Sequence, residues 1–319
     1  MILALDGLMD SSLAITLDTL KTAAGFLSRG VRNDRVRVLT AGHRREVRTG
    51  AGLRLRCDLS FKQVLDQGLR PDWVMLPGAG ISSESELTAR LAQADACALL
   101  PLLRALAGAG ANISASCSSV FLLAQSGLLA GRSATTTWWL ARLFRARHPD
   151  IALDETRMLV RDGPCLTAGA AFSQLDVVLA VVAATMGAAV AQLCARYMLI
   201  DSRPSQALYM IASHRQHADP TVVAAERWID QHLALSAGVA ELAGALALSS
   251  KTLGRRIQAA AGVSPIKFIQ RRKLLHAVHL IETSALSIDA IAAQIGYQDA
   301  TALRKLVKRE FGTTPGALR

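Results

Sequence analysis

Residues 112–125 read Asn112-Ile113-Ser114-Ala115-Ser116-Cys117-Ser118-Ser119-Val120-Phe121-Leu122-Leu123-Ala124-Gln125. The first five predict a strand that runs straight into Cys117 and a helix over Ser118–Gln125. Upstream, Trp73–Leu76 reads as a buried strand ending in Pro77-Gly78-Ala79-Gly80. Between the two lies a helical stretch from about Ser83 to Leu106, broken in two and ended by Gly108 and Gly110. Ile2–Leu5 is a strand at the start, and Asp10-Ser11-Ser12 offers N-cap side chains to an apolar-periodic helix over Leu13–Leu27. Arg35–Ala41 alternates like a strand. Strands alternating with helices predict an α/β domain over residues 1–200, doubly wound around a mainly parallel sheet. Its first strand lies at the very start of the sequence.

Downstream the pattern changes. Residues 201–220 open with Asp201-Ser202-Arg203-Pro204-Ser205 and close with His217-Ala218-Asp219-Pro220, which predicts a linker with an apolar middle, Leu208–Ala212. Residues 221–319 read as all helical and contain an internal repeat. Glu241-Leu242-Ala243, Leu253-Gly254-Arg255-Arg256 and Gly262-Val263-Ser264-Pro265 return as Ala290-Ile291-Ala292, Leu303-Arg304-Lys305 and Gly312-Thr313-Thr314-Pro315. Each copy predicts helix, tight turn, helix. Val239, Leu242, Ala243 and Leu246 face inward in the first copy, where Ser249 or Ser250 caps and Leu253 and Ile257 anchor. Ile288, Ile291, Ala292 and Ile295 face inward in the second, where Asp299 caps and Leu303, Leu306 and Val307 anchor.

The second helix of each copy is basic outside, with Lys251, Arg255 and Arg256 in one and Arg304, Lys305, Lys308 and Arg309 in the other. Such helices fit the DNA major groove, where Arg and Lys reach guanine edges and phosphates. The helix between them, about Ser264–Glu282, carries Arg271, Arg272 and Lys273 and would space the two readers near one turn of DNA. A helical-hairpin solenoid is the competing reading, but it needs about three or more repeats.

Charge supports a polyanionic partner. The net charge is +11, and from residue 221 onward thirteen Lys and Arg stand against seven Asp and Glu. Five cysteines without close pairs argue against a disulfide framework or a metal site and for a reducing cytoplasm. No basic n-region precedes the first apolar run, so no signal peptide is expected. Val177–Ala195 approaches membrane-span length, but its Ala, Val and Gly content and Gly187 predict one or two buried helices.

At the strand–helix turn, Cys117 is placed as a nucleophile would be. A helix N-terminus behind it and glycine N–H groups from Gly78 and Gly80 could hold an anion. A cysteine nucleophile needs a base, however, and the seven histidines form no motif with it. His148 sits at a helix end before Pro149.

Ile291-Ala292-Ala293-Gln294-Ile295-Gly296-Tyr297, with Gly312-Thr313-Thr314-Pro315 and the closing Arg319, resembles the signature of the AraC/XylS family. The resemblance implies base reading at Lys251, Gly254 and Arg255, and at Ala300, Thr301, Arg304 and Lys305. Gly254 lacks a side chain for that role, and Leu303 and Val307 stand where phenylalanines are usual. Leu76-Pro77-Gly78, Cys117 with Leu122-Leu123-Ala124, Gly127–Arg132, Ala134–Trp139 and Leu166–Gly169 resemble the ThiJ/PfpI superfamily, with its flavodoxin-like, class I amidotransferase-like fold. More narrowly they resemble the GlxA-type regulators, which fuse that domain to an AraC-type one. Catalytic relatives carry a histidine where this chain has Thr137.

These readings lead to a transcription regulator, an activator by resemblance, with no catalytic residue, cofactor or metal. Its ligand pocket is expected at Ser12, Gly78, Gly80, Cys117, Ser118, Thr137 and Trp138, for an amino acid or related nitrogenous metabolite. Without a base, the Cys117 thiol should titrate near its ordinary value, lowered somewhat by the helix. Double-stranded DNA is expected at Lys251, Arg255, Arg256, Thr301, Arg304, Lys305 and Lys308. A homodimer through the N-terminal domain, cytoplasmic and off the membrane, completes the expectation. The alternative is a ThiJ/PfpI-type cysteine hydrolase or amidase with an accessory DNA-binding domain.

Overall fold

A computed structural model of the chain describes residues 1–27, 36–201, 203, 205–206, 219–235 and 238–318. The chain divides into two compact units, Met1–Gln206 and Ala207–Arg319. Most of the expected linker, including Leu208–Ala212, and the closing Arg319 lie outside the described residues.

The first unit is built on a seven-stranded sheet. Its strands in chain order are β1 (Ile2–Ala4), β2 (Thr40–Gly42), β3 (Leu59–Ser60), β4 (Trp73–Leu76), β5 (Asn112–Ser116), β6 (Leu159–Asp162) and β7 (Cys165–Ala168). They lie in the order β6-β7-β5-β4-β1-β2-β3. Every pairing is parallel except the antiparallel β6–β7 hairpin.

Alternate residues of each strand feed two cores, as strand geometry requires. Leu3, Val74, Leu76 and Ile113 pack with Leu87, Leu99, Leu103 and Phe121 on one face. Ile2, Ala4, Trp73 and Met75 pack with Leu13, Leu20, Val177 and Val181 on the other. Helices α1 (Asp10–Leu27) and α2 (Gln174–Met186) lie together over that second face. Covering both faces is what a parallel sheet demands. Strand order reverses between β1 and β4, so their carboxyl ends border the crevice where open α/β sheets take ligands.

Several expectations are corrected. Helix α1 starts at Asp10, so Asp10-Ser11-Ser12 belongs to it. The Asp10 carboxylate binds the Thr49 hydroxyl and, at 2.8 Å, the Ala51 N–H. The strand expected over Arg35–Ala41 is Thr40–Gly42, with residues 28–35 outside the described set. The Val177–Ala195 segment is two helices broken at Gly187, whose φ of 95° suits glycine. The first is buried, but the second, Ala188–Tyr197, buries Cys194 and leaves Leu193 and Tyr197 exposed. Among the described residues no single helix is long and apolar enough to cross a membrane.

The second unit contains six described α-helices: α3 (Pro220–Gln231), α4 (Val239–Ala245), α5 (Ser250–Ala261), α6 (Pro265–Thr283), α7 (Ile288–Gln294) and α8 (Ala300–Phe311). They form two small cores. Leu242, Ala243, Leu253 and Ile257 close the first with Val222 and Ile229. Ile291, Ala292, Ile295, Leu303, Val307 and Phe311 close the second. Helix α6 belongs to both, giving Phe268 and Ile269 to the first and Leu274, Ala277, Val278 and Ile281 to the second. Ile281 lies thirteen positions after Phe268 on the same helix, so one continuous helix is the rigid spacer between the copies.

Candidate functional site

At the end of β5 the chain turns through Cys117, whose φ is +55°. An L-residue pays about 1 kcal/mol or more for that left-handed conformation, so the surroundings must hold it. They do so at both ends of the residue. The Cys117 N–H donates to the Gly169 carbonyl at 2.8 Å, and the Thr136 hydroxyl donates to the Cys117 carbonyl at 2.8 Å. Ser118 and Ser119 then tie the turn to the loop after β4, donating to the Ala79 and Pro77 carbonyls, each at 2.7 Å.

That loop passes flat against the cysteine. A Cβ on Gly78 would stand 3.0 Å from the Cys117 Cβ and 3.5 Å from both the Ser116 and Ser12 hydroxyl oxygens. The structure therefore brings Ser12, Gly78, Cys117 and Ser118 together as expected. Thr137 is fully buried, and its hydroxyl faces the Cys117 thiol.

The remaining pocket residues differ. Gly80 is exposed, with open space where a side chain would be. Trp138 is half-buried, its ring edge-on to Trp139 at 5.3 Å between centroids. Trp139 donates its indole N–H to the Ile81 carbonyl at 3.3 Å. His148 packs its ring on Phe144 and Phe121.

The thiol itself departs from expectation. Cys117 is 2% exposed, and burial pushes its pKa above the ordinary thiol range. The N–H groups of Ser118 and Ala171 and the hydroxyls of Ser118 and Thr137 oppose that shift without reversing it. The helix behind it, Val120–Gln125, is short, and desolvation outweighs its field. A thiol held neutral is a poor nucleophile.

Sequence reasoning placed Ser12 in the pocket but missed the rest of its polar lining. The hydroxyls of Ser12, Ser116 and Ser173 and the Gln174 Oε1 are buried without a protein partner. Gln174 does use its amide nitrogen, which donates to the Thr16 hydroxyl at 2.8 Å. Buried polar groups are normally satisfied, so these mark a place for a small polar molecule or water. Single serines in the sequence carry no such signal.

In the second unit the repeat is reproduced cap for cap. Ser249 accepts from the Thr252 N–H at the start of α5, and Asp299 accepts from the Ala302 N–H at the start of α8. Gly262 and Gly312 end the same helices in the left-handed conformation. Leu253 and Ile257, like Leu303 and Val307, face the cores. Lys251 and Arg255 on α5, and Thr301, Arg304, Lys305 and Lys308 on α8, are exposed along the opposite faces. Gln258 is exposed at the position matching Lys308 fifty residues on, a residue the repeat could have supplied.

Three basic residues serve the framework instead. Arg256 turns to the start of α3, binding the Thr221 hydroxyl and standing 3.5 Å from the Asp219 carboxylate. This corrects its placement on the reading face. On α6, Arg272 clamps Asp230 with hydrogen bonds of 2.6 and 2.5 Å, and His276 meets the same carboxylate at 2.9 Å. Burial raises the Asp230 carboxyl, but the Arg272 and His276 contacts outweigh it and leave the pKa below the usual range. Lys273 is buried and donates to the Leu235 carbonyl at 2.6 Å, its pKa lowered by burial.

Comparison with known proteins fits both units. The DJ-1/PfpI family profile matches residues 1–184, and a helix-turn-helix domain profile matches residues 242–319. The HTH-type transcriptional activator RhaS of Escherichia fergusonii is 33% identical over 92 residues, 29% of this chain and 33% of that protein. The chain thus matches about a third of that relative's length. The HTH-type transcriptional regulator GlxA of Rhizobium meliloti is 28% identical over 246 residues, covering 71% of this chain and 70% of that protein. The crystal structure of a ThiJ/PfpI family protein from Pseudomonas syringae shares the fold at a TM-score of 0.52 and 21% identity, covering 70% of this chain and 84% of the other. The chain belongs to the DJ-1/PfpI family and carries, after that domain, a helix-turn-helix domain of the AraC type.

Proposed function

We propose that this protein is a sequence-specific transcription regulator whose first unit binds a small metabolite at the Cys117 turn and thereby adjusts promoter binding by the second. One observation carries the DNA-binding part. Two identically capped helices, α5 and α8, present exposed basic faces from cores that share the spacer α6. Lys251 and Arg255, with Thr301, Arg304 and Lys305, are the proposed base readers, and Lys308 holds phosphate. The relatives named as regulators support this reading, and the one named as an activator supports activation.

In the first unit, the unpartnered hydroxyls and the Gln174 carbonyl suit a small polar metabolite such as an amino acid. Thr137 and the buried, neutral Cys117 support binding over turnover, against the hydrolase alternative. Homodimerisation through the first unit and residence in the cytoplasm belong to the same proposal. Regulation requires the metabolite to favour one arrangement over another, since equal affinity shifts nothing.

The test is DNA selected from genomic fragments, then titrated against variants. Arg255→Ala should lose about 1–3 kcal/mol on selected DNA and much less on random DNA. Lys308→Ala should weaken both alike and flatten the salt dependence. Equal loss on both DNAs for Arg255→Ala would remove it from the base readers.

A further inference from the structure

Gln206 is the last residue of the first unit, and Ala207 opens the second. Its side chain is 1% exposed and points back into the domain. Its Oε1 accepts from the Ala170 N–H at 2.9 Å. Its Nε2 lies within donating distance of the Glu155 carbonyl (2.9 Å), the Thr136 carbonyl (3.0 Å), the Arg157 carbonyl (3.3 Å) and the Thr135 hydroxyl (3.3 Å). The seat exists because residue 169 is glycine. A Cβ there would fall 2.2 Å from Oε1 and 2.5 Å from Nε2.

The preceding residues are sewn down as well. The Gln206 N–H and the Ser205 hydroxyl both donate to the Thr156 carbonyl at 2.9 Å. Arg203 binds the Asp176 carboxylate at 2.7 Å and the Phe172 carbonyl at 3.1 Å.

The two segments joined by this amide are those that hold Cys117. Thr136 caps the cysteine's carbonyl, and Gly169 accepts from its N–H. One carboxamide therefore bridges Thr136 to Ala170 across the left-handed residue. A group that enters beside Cys117 by parting those segments breaks the amide's contacts on both sides.

We propose that Gln206 is a tethered latch, seated while the Cys117 site is closed and released when that site is filled, so that occupancy is passed to the chain leading into the helix-turn-helix unit. The proposal rests on the reading of Cys117 as the ligand site. It gives that reading a physical two-state element, which coupling between sites requires. The coupling is reciprocal: what unseats the amide must also open the site.

Reciprocity supplies a test that needs neither metabolite nor operator. Full-length protein is treated with iodoacetamide, and alkylation of each cysteine is followed by peptide mass spectrometry. In the wild type Cys117 should react far more slowly than exposed Cys97. Gln206→Ala should speed Cys117 about tenfold or more, the factor that loss of about one net hydrogen bond of closure gives. Gly169→Ala should do the same by crowding the amide out, while buried Cys57, Cys165 and Cys194 keep their rates. Unchanged Cys117 rates in both variants overturn the latch. If all cysteines speed up together the variants have unfolded, and the wild-type arm decides. There, prolonged alkylation of Cys117 should increase hydrogen exchange at Ala170 and Gln206, and unchanged exchange overturns the proposal. The underlying site reading fails separately, if a metabolite that stabilises the protein against heat still does so after Cys117 is alkylated.

Discussion

Replacing Gly296 with alanine should destabilise the second unit by about 2–4 kcal/mol, through two additive causes. Gly296 has φ +76°, a conformation costing an alanine about 1–2 kcal/mol. The new methyl group would also stand 2.7 Å from the Ala234 carbonyl oxygen and 2.9 Å from that of Leu233. Both are backbone atoms, so no rotamer change relieves the clash and the turn after α3 must move. That turn supplies the Leu235 carbonyl that accepts from buried Lys273, so movement weakens, without fully breaking, a charge-assisted bond worth about 1.5–3 kcal/mol when intact. Gly244 is the internal control. It lies within α4 with open space around it, so Gly244→Ala should stabilise the same unit by about 0.5–1 kcal/mol. Pulse proteolysis of the full chain in urea, with fragments assigned by mass, reads the second unit's midpoint. A Gly296→Ala midpoint at or above the Gly244→Ala value would refute the reasoning.

Arg272→Ala removes the guanidinium from the Asp230 and Glu226 carboxylates and should cost about 2–4 kcal/mol, discounted from the fully buried case because Asp230 is partly exposed and keeps His276. Exposed Lys308→Ala should change stability by less than about 0.5 kcal/mol in the same assay, and comparable losses would undo the division between framework and surface. Asp176 gives the pH dependence: burial pushes its pKa up to about 6 despite Arg203, above the unfolded value of about 3.9. The native state therefore takes up this proton first, and the group's stabilising contribution is complete below about pH 4 and lost as pH rises through about 6. Asp176→Asn should flatten the fall of the first unit's urea midpoint between about pH 4 and 7, and an unchanged slope would remove Asp176 as its source.

What could be read from the sequence followed from periodicity and punctuation. Asn112–Ser116 and Trp73–Leu76 are uniform short runs bounded by glycine or cysteine turns, and both are strands as expected. Ser249, Asp299, Gly262 and Gly312 are cap residues at the offsets the helical period demands. Failures occurred where tertiary contacts redirect a side chain. Asp10 looks like a cap but is drawn to the loop at Thr49 and Ala51. Arg256 has the spacing of a reader but meets Asp219 and Thr221 from another helix. Gln206 lies in a polar stretch that reads as linker, and nothing local distinguishes a solvated glutamine from one seated in a glycine notch. Cys117 was placed correctly by its turn, but its ionisation depends on a burial that β5 alone does not encode.

The shared helix α6 makes the second unit a ruler with angular as well as linear graduations. Inserting or deleting one residue between Ile269 and Leu274 would turn α8 by about 100° relative to α5 and shift it by about 1.5 Å. The change would also disturb the Arg272–Asp230 and Lys273–Leu235 contacts and the seating of Gly296 against the turn after α3, so its cost in stability is measured beside its effect on DNA. On the proposed function, the two half-sites could then no longer be met from one side of the duplex. If α5 and α8 are the DNA readers proposed above, the spacing and relative facing of their half-sites follow from the count of residues along this one helix.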